Sequence, residues 1–318
     1  MQLRQAVDHA YNLFLKHEVP SPRLNAELLL LFVLGRERSF LYGHPEYELS
    51  ADEQSQYEEV VAQRARGCPT QYITGHQEFW GLDLLVSPAV LIPRPETEHV
   101  VETVLELAQA YYQEHQHNAE HEDPTACARH DSGRIRVLDV GTGSGAIALA
   151  LASELPHAEI HGCDISEEAL EIARINAARL ALGSRALFRK SDLLETYLAE
   201  TTSASGPAAE ASAPPRDRLF DFVVSNPPYV GEDEADKVQK QVREFEPRVA
   251  VFSGREGMDV YRRLIPQARE LLRPGGWLVM EIGFSTEAQV KGLLPDWTNF
   301  QTTADLQGIP RVVAARKA

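Results

Sequence analysis

The sequence predicts an α/β protein: a doubly wound mixed sheet, preceded by a small helical domain and a β-hairpin linker. Three observations carry this. Residues 1–75 place apolar side chains at helical spacing. Residues 76–94 alternate apolar and polar residues around Gly81 and Pro88, as a hairpin does. From Ile135 onward, short β-branched runs alternate with helical segments, and the chain closes on an antiparallel pair of strands. The predicted division is therefore 1–75, 76–94 and 95–318.

In the helical part, Leu3, Val7, Tyr11, Phe14 and Leu15 form one stripe. A second helix starts near Pro22, ends at Gly35 and is expected to turn Leu24, Leu28, Leu31 and Phe32 inward. Ser50-Ala51-Asp52-Glu53 is a capping box that opens a third helix bearing Tyr57, Val60 and Val61. In the α/β part, strands are predicted over 135–140, 159–164, 186–191, 219–225, 277–282 and 311–315. Helices follow over 146–151, 166–182 and 258–272. Pro266 should kink the last of these or delay its start, and Pro274-Gly275-Gly276 reads as a turn.

The first strand of the α/β part runs into Gly141-Thr142-Gly143-Ser144-Gly145 and then a helix. Glycines let the backbone approach a ligand closely, and the helix start offers free N–H groups. Gly141, Gly143 and Ala146 also fit the dinucleotide pattern, so the loop alone leaves a dehydrogenase open. Asp164 ends the next strand, where a carboxylate can accept from two ribose hydroxyls. Asp192 and Leu193 end the third, placed to meet an adenine amine and its ring. An ordinary loop aspartate is the competing reading of Asp192.

The fourth strand ends in Asn226-Pro227-Pro228-Tyr229. Two prolines hold the chain extended beyond the sheet and have no N–H to offer. The Asn226 side-chain oxygen and the Pro227 carbonyl can then accept both hydrogens of one NH2 group, with Tyr229 stacked on the flat group that carries it. Such a pocket suits an amide or an exocyclic base amine. The alternative is a simple turn, since Asn and Pro are turn formers.

Together the glycine loop, Asp164 and Asn-Pro-Pro-Tyr resemble the class I S-adenosylmethionine-dependent methyltransferases that act on amino nitrogens. Gln71-Tyr72-Ile73-Thr74-Gly75, Phe79-Trp80-Gly81 and Val90-Leu91-Ile92-Pro93-Arg94-Pro95-Glu96-Thr97-Glu98 are similar to the linker of the release-factor glutamine methyltransferases. The segments 246–252 and 305–313 are similar to that family too. Ribosomal-protein glutamine methyltransferases usually carry Ser-Pro-Ile where this chain has Pro95-Glu96-Thr97.

The resemblance implies a seven-stranded methyltransferase domain over 95–318 and substrate recognition by 1–75. It implies N5-methylation of the glutamine in the Gly-Gly-Gln motif of bacterial release factors 1 and 2. S-adenosylmethionine would be the donor, with no metal. Gly141, Thr142, Gly143, Ser144, Gly145, Asp164, Asp192, Leu193 and Asn226 are then the expected donor contacts. Asn226, Pro227, Pro228 and Tyr229 are the expected acceptor contacts, with Asn226, Pro227 and Tyr229 catalytic. Arg94 and Glu96 either border the amide pocket or simply start a helix. Glu246 and Arg248 are expected to form a local ion pair. The alternatives are a ribosomal-protein glutamine methyltransferase, a nucleic-acid amino-group methyltransferase, and a binding module that keeps the fold without the chemistry.

Composition weighs on these alternatives. A formal net charge of −16 argues against direct nucleic-acid binding, because phosphates are recruited by Lys and Arg. No apolar run is long enough to span a bilayer and there is no basic signal-peptide start, so no membrane association is expected. Cys68, Cys127 and Cys163 show no paired spacing, which fits a reducing cytoplasm, and the chain is expected to be a monomer. Two inserts interrupt the pattern, at 113–133 and 199–217. The first holds His115, His117, His121, Cys127 and His130, whose spacing matches no metal-ligand template; it reads as a solvated loop. The second is rich in Ala, Ser, Pro and Thr and reads as a flexible surface loop.

Overall fold

A computed structural model describes residues 1–119, 134–203 and 219–318. The chain divides into two compact units. One comprises Met1–His76 with Val86–Pro88 and Val238–Phe245; the other comprises Gln77–Leu85, Ala89–Lys237 and Glu246–Ala318.

The first unit is helical. It contains α1 (Leu3–Lys16), α2 (Pro22–Leu34), α3 (Arg38–Gly43), α4 (Ala51–Ala65) and α5 (Thr70–Thr74). Helix α1 buries Leu3, Ala6, Val7, Ala10 and Phe14, so its stripe is completed by alanines, while Leu15 is exposed. The capping box of α4 forms: Ser50 Oγ accepts from the Glu53 N–H at 3.2 Å, and Glu53 accepts from the Ser50 N–H at 2.7 Å. The buried Tyr57 hydroxyl donates to the Ala26 carbonyl at 2.9 Å and ties α4 to α2.

Helix α2 departs from expectation. It buries Ala26, Leu29 and Leu30, whereas Leu24, Leu28 and Phe32 are exposed. Leu28-Leu29-Leu30-Leu31-Phe32 is apolar on every face, so spacing could not choose the inner one. The charge that settles the face is Glu27, buried among Arg23, Arg38 and Tyr42, which all donate to its carboxylate.

The second unit opens with a hairpin, β1 (His76–Phe79) and β2 (Leu82–Leu85). Trp80 and Gly81 both take positive φ at its turn, the combination a two-residue hairpin turn of type I′ demands. Asn176 clips the hairpin down by exchanging hydrogen bonds with the Leu85 N–H and carbonyl. A short 3-10 turn, Pro95–Thr97, leads into α6 (Glu98–Ala119). There follow β3 (Arg136–Val140), α7 (Ala146–Glu154), β4 (Glu159–Asp164), α8 (Glu167–Arg179), β5 (Ala186–Lys190), α9 (Glu195–Ser203) and β6 (Phe220–Ser225). After short helical turns come α10 (Asp259–Leu271), β7 (Leu272–Glu281), α11 (Glu287–Gly292), β8 (Trp297–Ala304) and β9 (Pro310–Lys317).

The seven strands lie in the order β5-β4-β3-β6-β7-β9-β8. Neighbours from β5 to β7 are parallel, and β9 runs antiparallel to both β7 and β8. Strand side chains alternate between two cores, as a period of two requires. Val137, Ile160, Phe222, Val224 and Val279 face α6, α7 and α8. Leu138, Val140, Val223, Leu278 and Met280 face α9, α10 and α11. Fold order reverses between β3 and β6, so a crevice opens at their carboxyl ends.

Several local expectations are corrected. Strand β7 begins at Leu272 and carries Pro274-Gly275-Gly276 within it, with a register shift against β6 between Phe220 and Phe222. Pro266 lies inside α10 without ending it. Strand β8 completes the seven strands that the resemblance implies, at a range the pattern does not reveal; it is an edge strand, mostly exposed, and so lacks alternation. Residues 113–119 continue α6 and residues 199–203 continue α9, rather than belonging to loops. The metal reading of the first insert and the rest of both inserts lie outside the described residues.

Candidate active site

The glycine loop is built around two aspartates, the buried Asp139 and the half-buried Asp164. Gly141, Gly143 and Gly145 all have positive φ, which L side chains resist. The Gly141 and Thr142 N–H groups both donate to the Cys163 carbonyl, at 2.8 and 2.9 Å, and so hang the loop on β4. Asp139, at the core of β3, accepts from the Thr142 hydroxyl at 2.6 Å and the Ala148 N–H at 3.2 Å. Its other oxygen has no partner among the described residues, and burial pushes its carboxyl up to about 7. Sequence reading missed Asp139; an acid inside a run of Val and Leu was the available signal. Above this floor, a Cβ added at Gly141 or Gly143 would meet nothing within 4 Å. The loop is an open cradle whose backbone a ligand can approach.

Asp164 accepts from the Gly143 N–H at 2.9 Å and the Ser166 N–H at 3.0 Å. It therefore braces the loop and opens α8 at once, while each oxygen keeps lone pairs for a ligand. Burial raises its pKa, against those backbone hydrogen bonds. The Ser191 N–H donates to the Asp164 carbonyl, which brings the end of β5 alongside. There Leu193 takes φ of 48°, and its carbonyl accepts from the Cys163 thiol at 3.3 Å. Asp192 is paired with Arg263 at 2.8 Å and is partly exposed. Gly141, Thr142, Gly143, Ser144, Gly145, Asp164, Asp192 and Leu193 thus line the carboxyl ends of three adjacent strands.

Strand β6 is the next neighbour. Val140 pairs with Ser225, and the Ser225 hydroxyl donates to the Val140 carbonyl at 2.7 Å. The residues that follow each, Gly141 and Asn226, start side by side. The Asn226 side-chain N–H donates to Thr97 Oγ1 at 3.0 Å. Thr97 in turn donates to Glu281 Oε2 at 2.6 Å, and the Tyr229 hydroxyl donates to Glu281 Oε1 at 3.2 Å. Glu281 ends β7 and is buried; its carbonyl accepts from the Tyr261 hydroxyl at 2.8 Å. Pro227 is buried, with Pro228 and Tyr229 half-buried after it.

The turn at Tyr229 requires glycine on two sides. A Cβ at Gly257, where φ is +76°, would lie 2.2 Å from the Tyr229 carbonyl. One at Gly283 would lie 2.9 Å from the Tyr229 ring. Thr97 was not singled out from the sequence. Its signal was weak, because a threonine at a helix start is ordinary.

One further expectation changes. Glu246 does not pair with Arg248. Its buried carboxylate holds Arg94 at 2.5 Å and the Ile92 N–H at 3.3 Å, which fixes the linker motif beside the pocket. Arg248 instead pairs with Glu232 on the surface, at 2.7 Å. Among the described residues, no group of His, Cys, Asp or Glu is arranged to hold a metal ion, and no helix is long and apolar enough to cross a membrane.

Comparison with known proteins agrees with this geometry. Residues 5–75 match the PrmC N-terminal domain, and residues 131–296 match a methyltransferase domain. The hMettl16 catalytic domain, solved in complex with an RNA hairpin, shares the fold at a TM-score of 0.50 and 16% identity, covering 90% of each chain. The release factor glutamine methyltransferase of Koribacter versatilis is 52% identical over 317 residues, covering 100% of this chain and 99% of that protein. That of Geobacter sulfurreducens is 37% identical over 316 residues, covering 99% and 96%. With a methyltransferase sheet, an Asn-Pro-Pro-Tyr beside its glycine cradle and relatives that match from end to end, the chain belongs to the release factor glutamine methyltransferase family.

Proposed function

We propose that the protein transfers a methyl group from S-adenosylmethionine to the side-chain amide nitrogen, N5, of the glutamine in the Gly-Gly-Gln motif of bacterial release factors 1 and 2. The observation that carries this reading is the adjacency of the two motifs. Val140 and Ser225 are paired, so the open glycine cradle and the Asn-Pro-Pro-Tyr segment share one crevice at the switch point of the sheet. Asp164 is the acceptor for the ribose hydroxyls, and the N–H groups near the start of α7 face the donor's charged end.

S-adenosylmethionine supplies a methyl group already activated on a sulfonium sulfur. The hard partner is the amide, whose nitrogen lone pair is delocalised into its carbonyl. Asn226 Oδ1 and the Pro227 carbonyl accept its two N–H bonds, draw electron density toward nitrogen and aim it in line. This is catalysis by positioning and by preorganised dipoles. The new bond is nitrogen to carbon, the broken one sulfur to carbon. The alkylated amide is a strong acid and yields its proton to water, so no side chain has to serve as base.

The N-terminal helical unit is assigned to recognition of the release factor, and the charge of −16 supports a protein rather than a nucleic-acid acceptor. The test is incubation with methyl-labelled S-adenosylmethionine and three acceptors: a release factor, the same protein with Gly-Gly-Ala, and duplex DNA. Label mapping to the glutamine of the first alone is expected. Equal labelling of the Gly-Gly-Ala protein, or preference for DNA, overturns the assignment.

A further inference from the structure

Asn226 can present either end of its amide to the crevice, and only one end accepts from an incoming NH2 group. The nitrogen and oxygen of an amide are nearly the same size, so shape does not choose between them; hydrogen bonding does. The choice is made behind Asn226, by two buried side chains. Glu281 as a carboxylate can only accept. The Thr97 hydroxyl, 2.6 Å from Glu281 Oε2, must therefore give its single proton to that oxygen. With its proton committed, Thr97 Oγ1 has only lone pairs left for the neighbour on its other side. That neighbour is Asn226, 3.0 Å away, and it can answer only with its N–H.

We propose that Thr97 and Glu281 are positioning residues that fix the orientation of the Asn226 amide, leaving Oδ1 as the end that receives the substrate nitrogen. This rests on the reading that Asn226 accepts from the acceptor NH2, and adds which residues make it do so. The same carboxylate holds the Tyr229 hydroxyl through its other oxygen, so one buried group sets both ends of the Asn-Pro-Pro-Tyr segment. The Tyr261 hydroxyl on the Glu281 carbonyl fixes the strand end from which the carboxylate projects. Glu281 and Thr97 are 2% and 4% exposed, so water has little access to substitute for either.

The direction of the relay makes a chemical distinction testable. Thr97→Ser keeps the hydroxyl; Thr97→Val keeps the shape and removes it. Thr97→Val is expected to lower kcat ten- to a hundredfold, with the KM for release factor and the affinity for S-adenosylmethionine within about twofold of wild type. Thr97→Ser should recover most of the rate. Glu281→Gln can offer an N–H to Thr97 and so reverse the relay; it should lower kcat at least as far. Adding Thr97→Val to Glu281→Gln should then cost little more, because the two act as one unit. Wild-type kcat in Thr97→Val, or equal losses in the serine and valine variants, overturns the proposal.

A readout without turnover separates this from the substrate assignment. The Asn226 side-chain amide protons, identified by their loss in Asn226→Ala, should exchange slowly in wild type and Thr97→Ser and rapidly in Thr97→Val. Equal exchange in all three refutes the relay, whichever acceptor the enzyme proves to methylate.

Discussion

Asp164 ends β4 and Asn226 follows β6, the strands on either side of β3, yet their loss should read out differently. Asp164→Ala removes a charged acceptor from the donor site, and hydrogen bonds of that kind are worth about 1.5–3 kcal/mol. Calorimetric titration should show S-adenosylmethionine binding weakened by roughly tenfold or more; unchanged affinity would remove Asp164 from the site. Asn226→Ala should keep that affinity and lose most turnover, on the order of a hundredfold. Asn226→Asp retains an acceptor and should keep part of the rate. Glu281 adds a dependence on pH. Burial pushes its carboxyl up to about 7; the Thr97 and Tyr229 hydroxyls and the Arg311 charge oppose the rise, and Glu96 adds to it. Tyr261 packs beside it, its own pKa raised well above the usual value by burial. A protonated Glu281 can donate to Thr97, so kcat should fall as pH drops below about 7, and Glu281→Gln should abolish that limb. If the limb persists unchanged, another group is titrating. The stability effect runs the other way. The folded carboxyl keeps a proton that an unfolded one, with its ordinary value of 4.5, has released, so stability declines as pH rises between about 4.5 and 7.

Elements with a distinctive signature at a boundary were the most legible ones. Helix α4 is announced by its capping box, and the strands β3 and β6 by apolar runs that end in glycine or in Asn-Pro-Pro. Alternation failed where exposure is nearly uniform, as along the edge strand β8. It also failed where hydrophobicity is uniform, as around α2. That helix supplies a direct check on stability. Leu29 is fully buried and Leu28 is 42% exposed, although the two are chemically identical neighbours. Leu29→Ala should destabilise the protein by about 2–5 kcal/mol, and Leu28→Ala by about 0.5 kcal/mol or less. Comparable shifts in denaturant midpoint would restore the face first expected from spacing. The linker was legible as a hairpin, but not its fastening. Asn176 on α8, 91 residues from Leu85, grips the hairpin through two hydrogen bonds that no local pattern announces.

At the scale of the whole molecule, the site was visible as two motifs and invisible as a network. The glycine loop and Asn-Pro-Pro-Tyr are contiguous in sequence, so they can be read directly. Thr97 and Glu281 lie 184 residues apart and meet only because β7 packs beside β6 and the turn before α6 closes over their ends. Buried polar partners of this kind follow from topology, which pattern cannot supply. The orientation of Asn226 also bears on a hazard peculiar to an enzyme of this chemistry. On the proposed role of Asn226, a protein that alkylates a carboxamide keeps a carboxamide of its own beside the reacting groups, at a high effective concentration. The bond to Thr97 keeps that nitrogen occupied and turned toward the protein interior. On the same proposed role, a single hydroxyl is then expected to suppress self-modification. Thr97→Val held with S-adenosylmethionine and no acceptor should slowly gain one methyl mass on the peptide bearing Asn226, while the wild-type protein, under the same conditions, stays unmarked.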